Sequence, residues 1–145
     1  MSEVSTGTIG LDTNVLARYY VADDTDEATQ RQRQAARKLI ESGQALALSK
    51  TVILEFEWVL RGYYGFDREQ VGQVFAHLLA LPQIEVEDRA TVKRAVAVHA
   101  DGLDFADALH HSSYADCDSV ASFDDRGFAR RGRSLNLRPP IRVPR

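Results

Sequence analysis

Asp12 closes the apolar run Gly7-Thr8-Ile9-Gly10-Leu11 and opens Asp-Thr-Asn ahead of a helix-like stretch. Glu55, Asp107 and Asp124 stand in comparable places, at the end of a strand-like run or early in a helix-like one. An acid so placed can face the crevice above a parallel sheet. Four acids meeting there would make an oxygen-rich, strongly negative pocket, tolerable only around hard cations such as Mg2+ or Mn2+. The chemistry of such a site is phosphodiester hydrolysis. A bound cation lowers the pKa of water and neutralises developing charge, and two ions about 3.5–4 Å apart would clamp the attacking and leaving oxygens. Asp12 is the expected central ligand, completed by Asp107 and Asp124. Glu55 would hold a second ion or orient the water.

Each acid also has an ordinary structural role. Asp12 is a favoured helix N-cap, with Thr13 and Asn14 either sharing that job or hydrogen-bonding the carboxylates. Glu55 and Glu57 flank the apolar stripe of one helix on opposite sides, so the helical wheel does not choose between them. Asp104 and Asp107 read as a cap and its third helical residue, a capping-box-like start. Asp107, His111 and Tyr114 then share a helical face. His110 and His111 could bind phosphate or assist a leaving group, although adjacent histidines on a helix are ordinarily plain surface. Asp124 ends the run Ser119-Val120-Ala121-Ser122-Phe123, where Ser122 could orient it. Asp125 competes for the same role, and strand alternation argues against both entering one pocket.

Other chemistries find little support. No Ser/His/Asp arrangement has supporting context. Gly7 and Gly10 lack the third glycine and helix start of a phosphate loop. A lone Cys117 makes neither a zinc site nor an internal disulfide, which agrees with a reducing cytoplasm.

The acids must be positioned by a small fold. The chain has 145 residues, 44% hydrophobic, which suits one domain over 1–145. Residues 1–6 and roughly 132–140 read as loosely ordered. The first residues have neither a basic start nor an apolar core, so no signal peptide is expected. No apolar run approaches the roughly 18 residues that span a membrane. The net charge of -3 hides a segregation. Residues 126–145 hold seven arginines and no acid, and the rest holds 11 Lys/Arg against all 21 Asp/Glu. An acidic body is a poor general nucleic-acid binder, but a basic end beside a metal site could grip a phosphate backbone. Arg126, Arg130, Arg131 and His110 are the candidates, with a solubilising tail as the plain alternative.

The spacing predicts strands at Thr8–Asp12, Ala45–Ser49, Ile84–Glu87, Ser119–Phe123 and Ile141–Val143. They are short and apolar with little polar alternation, as in strands buried on both faces. Two helices follow each of the first three, and a short one follows the fourth. The long helices are expected at Asp26–Glu41, Thr51–Tyr64, Asp67–Leu81, Asp88–Ala100 and Asp104–Cys117, several of them stopped by Gly or Pro. This alternation implies right-handed crossovers and a mostly parallel sheet covered on both sides. Pro139-Pro140 confines the last strand to an edge. Tyr19, Tyr20, Trp58, Tyr63, Tyr64 and Phe66 gather at two helix ends, as core or as lining of an apolar groove.

Four pieces in order resemble one family. They are Leu11-Asp12-Thr13-Asn14-Val15-Leu16, Leu54-Glu55-Phe56-Glu57-Trp58-Val59-Leu60-Arg61, Asp104-Phe105-Ala106-Asp107-Ala108-Leu109-His110 and Ser122-Phe123-Asp124-Asp125-Arg126-Gly127-Phe128. The chain resembles a PIN domain, in particular a VapC-type toxin ribonuclease of a bacterial type II toxin–antitoxin pair. The resemblance implies a three-layer α/β/α sandwich with a central, mostly parallel sheet. It implies one or two Mg2+ or Mn2+ ions held by Asp12, Glu55, Asp107 and Asp124, and so prefers Glu55 over Glu57. It further implies endonucleolytic RNA cleavage leaving a 5′-phosphate and a 3′-hydroxyl, a small antitoxin that blocks the site, and a homodimer. The alternatives are a PIN-fold RNA-processing nuclease outside toxin–antitoxin systems and a non-catalytic PIN-fold binding module. A receiver-like phospho-acceptor domain would need a late lysine, and none follows Lys93.

Overall fold

The computed structural model describes residues 7–22 and 26–145. The N-terminal stretch 1–6, expected to be loose, lies outside the described residues. The chain divides into two units, Met1–Asp88 and Arg89–Arg145.

In the first unit, β1 (Ile9–Gly10), β2 (Leu46–Leu48) and β3 (Ile84–Val86) form a parallel sheet in the order β1-β2-β3. Ile9 pairs with Leu46, and Leu46 pairs in turn with Ile84. The ladder continues past β1, because Leu11 N–H donates to Ala47 O at 3.0 Å. Asp12 therefore follows immediately on the last bonded residue of the strand. Burial departs from the expectation of strands covered on both faces. The central β2 buries Leu46 and Leu48, β3 leaves Glu85 exposed, and both β1 residues are exposed.

The connecting helices obey local rules. α1 (Thr13–Tyr20) is capped by Asp12, and α2 (Glu27–Ile40) by Asp26, whose carboxylate accepts from Thr29 N–H at 2.7 Å. That bond holds the Asp26 carboxyl below its ordinary pKa. α3 (Lys50–Trp58) runs on into a π-helical turn over Val59–Tyr63. Gly65 then leaves the helix at φ +72°, where a side chain would be strained. α4 (Arg68–Leu79) opens on a reciprocal capping box between Asp67 and Gln70. Leu16, Ile40, Ile53, Phe56, Leu60, Phe75 and Leu78 are fully buried and form the core of this unit.

In the second unit, α5 (Arg89–Ala100) packs on α6 (Phe105–Ser113), with Gly102 at φ +118° in the turn between them. β4 (Val120–Ala121) pairs in parallel with β5 (Ile141–Arg142), and α7 (Phe128–Ser134) connects them. Two expectations are corrected here. α6 ends at Ser113 rather than Cys117, where Tyr114 N–H closes the last turn on His111 O at 3.0 Å. Residues 132–140 also make definite contacts. Gly132 and Pro139 are buried, and a Cβ built on Gly132 would stand 2.2 Å from Ile141 Cδ1. The absent side chain is what lets α7 lie against β5. β5 is an edge strand as expected, bonded to β4 alone among the described strands.

Candidate active site

The predicted acids fall two to a unit. In the first unit, Asp12 and Glu55 line one cavity of about 300 Å³. The end of β1 delivers Asp12, and the middle of α3 delivers Glu55. Thr13 N–H donates to Asp12 Oδ1 at 2.8 Å, so the cap and the carboxylate are one group. The Thr13 hydroxyl, expected to hold a carboxylate, instead lines the cavity buried and with no protein partner. Asn14 is exposed at the same cavity. Sequence reasoning passed over Arg18, which reaches this cavity from the last turn of α1 and donates from Nε to Gln32 Oε1 at 2.8 Å.

The two glutamates of α3 have opposite fates. Glu55 is exposed at the cavity, whereas Glu57 is 2% exposed and accepts from Arg61 Nε at 2.9 Å. The apolar neighbours Ile53, Phe56 and Leu60 bury that face of the helix, and a carboxylate tolerates it only because an arginine one turn on satisfies it. Glu57→Ala is thus expected to lower stability by about 1–3 kcal/mol. Glu55→Ala should leave the denaturation midpoint within about 0.5 kcal/mol of wild type. Urea titration of both variants checks the contrast, and equal losses would contradict it.

In the second unit, Asp104 caps α6, accepting from Asp107 N–H at 3.4 Å. Asp107 is half-buried, and its carboxyl titrates above the ordinary value. Burial is the main cause, the charges of Asp104 and Asp124 add to it, and His110 opposes them. These groups therefore lie within electrostatic reach of one another. Asp124 accepts from Gly127 N–H at 2.9 Å, and a Cβ on Gly127 would stand 2.6 Å from its Oδ2. Gly127 is a requirement of the Asp124 turn that the Asp-Asp-Arg-Gly spacing could have disclosed. Ser122 Oγ accepts from the Asp124 amide at 3.0 Å, so it shapes the turn rather than touching the carboxylate. Asp125 points elsewhere and pairs with Arg133 at 3.0 Å. Arg126, Arg130, Arg131 and His110 are all exposed.

Asp107 and His111 stand one turn apart on α6, but His111 is completely buried while Tyr114 is exposed. His111 Nε2 lies 2.8 Å from Pro139 O, and its ring stands edge-on to Phe128 at 6.3 Å. It is a core residue with no access to a substrate.

The raised pKa of Asp107 has a consequence for stability. A carboxyl whose folded-state pKa exceeds its unfolded value is an ionised burden on the folded form. Protonation lifts that burden, so the metal-free protein gains stability from Asp107 as pH falls from neutrality through the raised value. The gain is complete below the unfolded value, 3.8 for the free side chain. Asp107→Asn should therefore be more stable than wild type at neutral pH in a chelator, with the difference shrinking as pH drops. Thermal melts across that range test the sign, and a variant less stable than wild type at neutral pH would reverse it.

Do these residues fit a cation? Among the described residues, no group of three or more His, Cys, Asp and Glu side chains is placed to hold a metal ion. Each unit nevertheless carries the right donors. The first presents two carboxylates and an unpartnered buried hydroxyl at one cavity. The second presents a half-buried carboxylate, Asp107, whose pKa is raised chiefly by burial and further by the charges of Asp104 and Asp124, a repulsion that a cation would relieve. All are hard oxygen donors suited to Mg2+ or Mn2+ and ill suited to softer metals.

A chain of short parallel strands with helices between them, and with acids at strand ends and helix starts, is an α/β protein. The PIN domain family matches residues 9–134, and the chain belongs to that family. The match spans both units. PIN domains are generally metal-dependent nucleases that use divalent ions. No curated protein matches the chain significantly. Among the described residues, no helix is long and apolar enough to cross a membrane.

Proposed function

We propose that this chain is an Mg2+- or Mn2+-dependent endoribonuclease and the toxin of a toxin–antitoxin pair. The observation that carries the nuclease reading is the meeting of Asp12 and Glu55, far apart in sequence, at one cavity of a PIN-family chain. The toxin reading rests on the four sequence pieces described above. Its partners would be a small antitoxin and a second copy of the chain, in the cytoplasm.

As the resemblance implies, Asp12, Asp107 and Asp124 would be ligands of the principal ion, and Glu55 would hold a second ion or orient the water. A bound divalent ion would lower the pKa of that water and neutralise charge on the phosphate. The water oxygen would bond to phosphorus as the bond to the 3′ oxygen breaks, leaving a 5′-phosphate and a 3′-hydroxyl. Thr13 and Asn14 beside Asp12, and Ser122 and Asp104 in the second unit, would keep the carboxylates oriented. Arg126, Arg130, Arg131 and His110 would hold the phosphate backbone.

Sequencing of RNA ends after inducing the protein in cells tests the proposal. New 5′-phosphate ends should gather at a few defined sites and be suppressed by the product of a small neighbouring gene. If induction creates no new ends, and the purified protein leaves RNA intact in Mn2+, the chain is not a ribonuclease.

A further inference from the structure

The cavity of Asp12 and Glu55 has a second wall that its acids do not explain. Trp58 and Tyr63 line it, yet they are 58% and 73% exposed. Elsewhere in this unit large aromatic rings such as Phe56 and Phe75 are fully buried. The backbone accounts for the pairing. α3 passes into its π turn at Val59, and Tyr64 N–H bonds Val59 O, five residues back, at 3.1 Å. A turn closed over five residues brings Tyr63 toward the side of Trp58, where a regular helix would carry it further round. Such turns are frequent at functional sites. A Cβ on Gly62 would stand 3.3 Å from Trp58 Cε2, so the indole rests against bare backbone. Tyr63 meets Tyr64 edge-on at 4.8 Å, and the Tyr64 hydroxyl accepts from Arg18 Nη1 at 3.3 Å. Exposed aromatic faces, an anchored cation and two carboxylates thus share one small cavity.

That combination suits a nucleotide. Every base has a π face, and aromatic side chains bind it by stacking whatever its identity. A base paired in a duplex has that face covered by its neighbours, whereas a base in a loop does not. The size of the cavity, about 300 Å³, is that of a small-ligand pocket and not of a groove for a helix. Its lining is also mixed in charge where a helix groove would be continuously apolar. We propose that Trp58 and Tyr63 form a stacking platform for unpaired bases beside the bond to be cut. The inference rests on the nuclease reading but is testable apart from it.

Trp58 is the sole tryptophan of the chain, so its fluorescence reports on its own surroundings. The full chain is titrated in a chelator with a short oligoadenylate, with the same length as a duplex, and with an abasic strand of equal charge. The oligoadenylate should quench Trp58, and the other two should not. By labelled-strand anisotropy, Trp58→Ala and Tyr63→Ala should each weaken binding of the oligoadenylate about tenfold. Trp58→Phe, which keeps a stacking face, should weaken it less than about threefold. Equal quenching by all three probes would overturn the platform, and so would alanine variants that bind as tightly as wild type. Quenching by an amphipathic helical peptide with none by RNA would also overturn it and assign the wall to a protein partner. The two readings fail separately. Cleavage in Mn2+ without base-dependent quenching sinks the platform alone, and base-dependent quenching without cleavage sinks the nuclease alone.

Discussion

Asp12→Asn is expected to slow metal-dependent RNA cleavage by about a thousandfold, the equivalent of about 4 kcal/mol of transition-state stabilisation. The fold should survive, because the cap that Asp12 makes and the ligand role proposed for it are separable. As the cap of α1 it accepts from Thr13 N–H at 2.8 Å, and the amide oxygen of Asn can accept the same bond. Asn and Asp are near-equal caps, so the helix loses little. As a cation ligand the residue must bring negative charge, which Asn cannot. Circular dichroism and a thermal melt should therefore match wild type while the cleavage rate in Mn2+ collapses. Wild-type cleavage by Asp12→Asn would remove Asp12 from the site and with it the central claim about the chemistry. Loss of fold together with activity would instead make Asp12 a cap and no more.

The second large effect is predicted where two adjacent histidines part company. His111→Ala should destabilise the protein by about 3 kcal/mol, and His110→Ala by no more than about 0.5 kcal/mol. His111 is fully buried, touches Phe128 edge-on and shares a 2.8 Å hydrogen bond with Pro139 O. Truncation would leave both a cavity between α6 and the segment entering β5 and a buried carbonyl without its partner. His110 is exposed, and its role toward the neighbouring Asp107 is electrostatic, so its loss should register in RNA binding and not in unfolding. Urea denaturation of the two variants measures the difference. Similar midpoints for both would show that the contact with Pro139 contributes little.

Some of the candidate site's local geometry was readable before any fold was known. Asp12 and Asp124 announced themselves because a short apolar run ending on an acid is a local pattern, and both do follow strands. Asp104 was legible as a cap for the same reason, since capping depends on a few neighbouring residues. The choice between Glu55 and Glu57 was not legible from the wheel. Both flank the apolar stripe, and which flank is covered depends on elements remote in sequence. The exposure of Trp58 and Tyr63 was equally out of reach, because the default for such rings is the core and the π turn that redirects Tyr63 has no local signature. Arg18 carries no motif at all, and reaches the cavity only because α1 packs against α3.

The order of strands and helices, the caps at Asp26 and Asp67, the stops at Gly65 and Gly102 and the segregation of arginines toward the end were settled by the chain of residues itself. Each arises from periodicity, φ preference or charge acting over a few positions. Tertiary structure alone decided that Glu57 is buried and Glu55 open, that His111 is core, that α7 lies on Ile141 across Gly132, and that an aromatic wall stands beside Asp12. Those outcomes depend on which distant surfaces exclude water from a side chain, and burial of that kind is a property of packed neighbours that no single stretch of sequence contains.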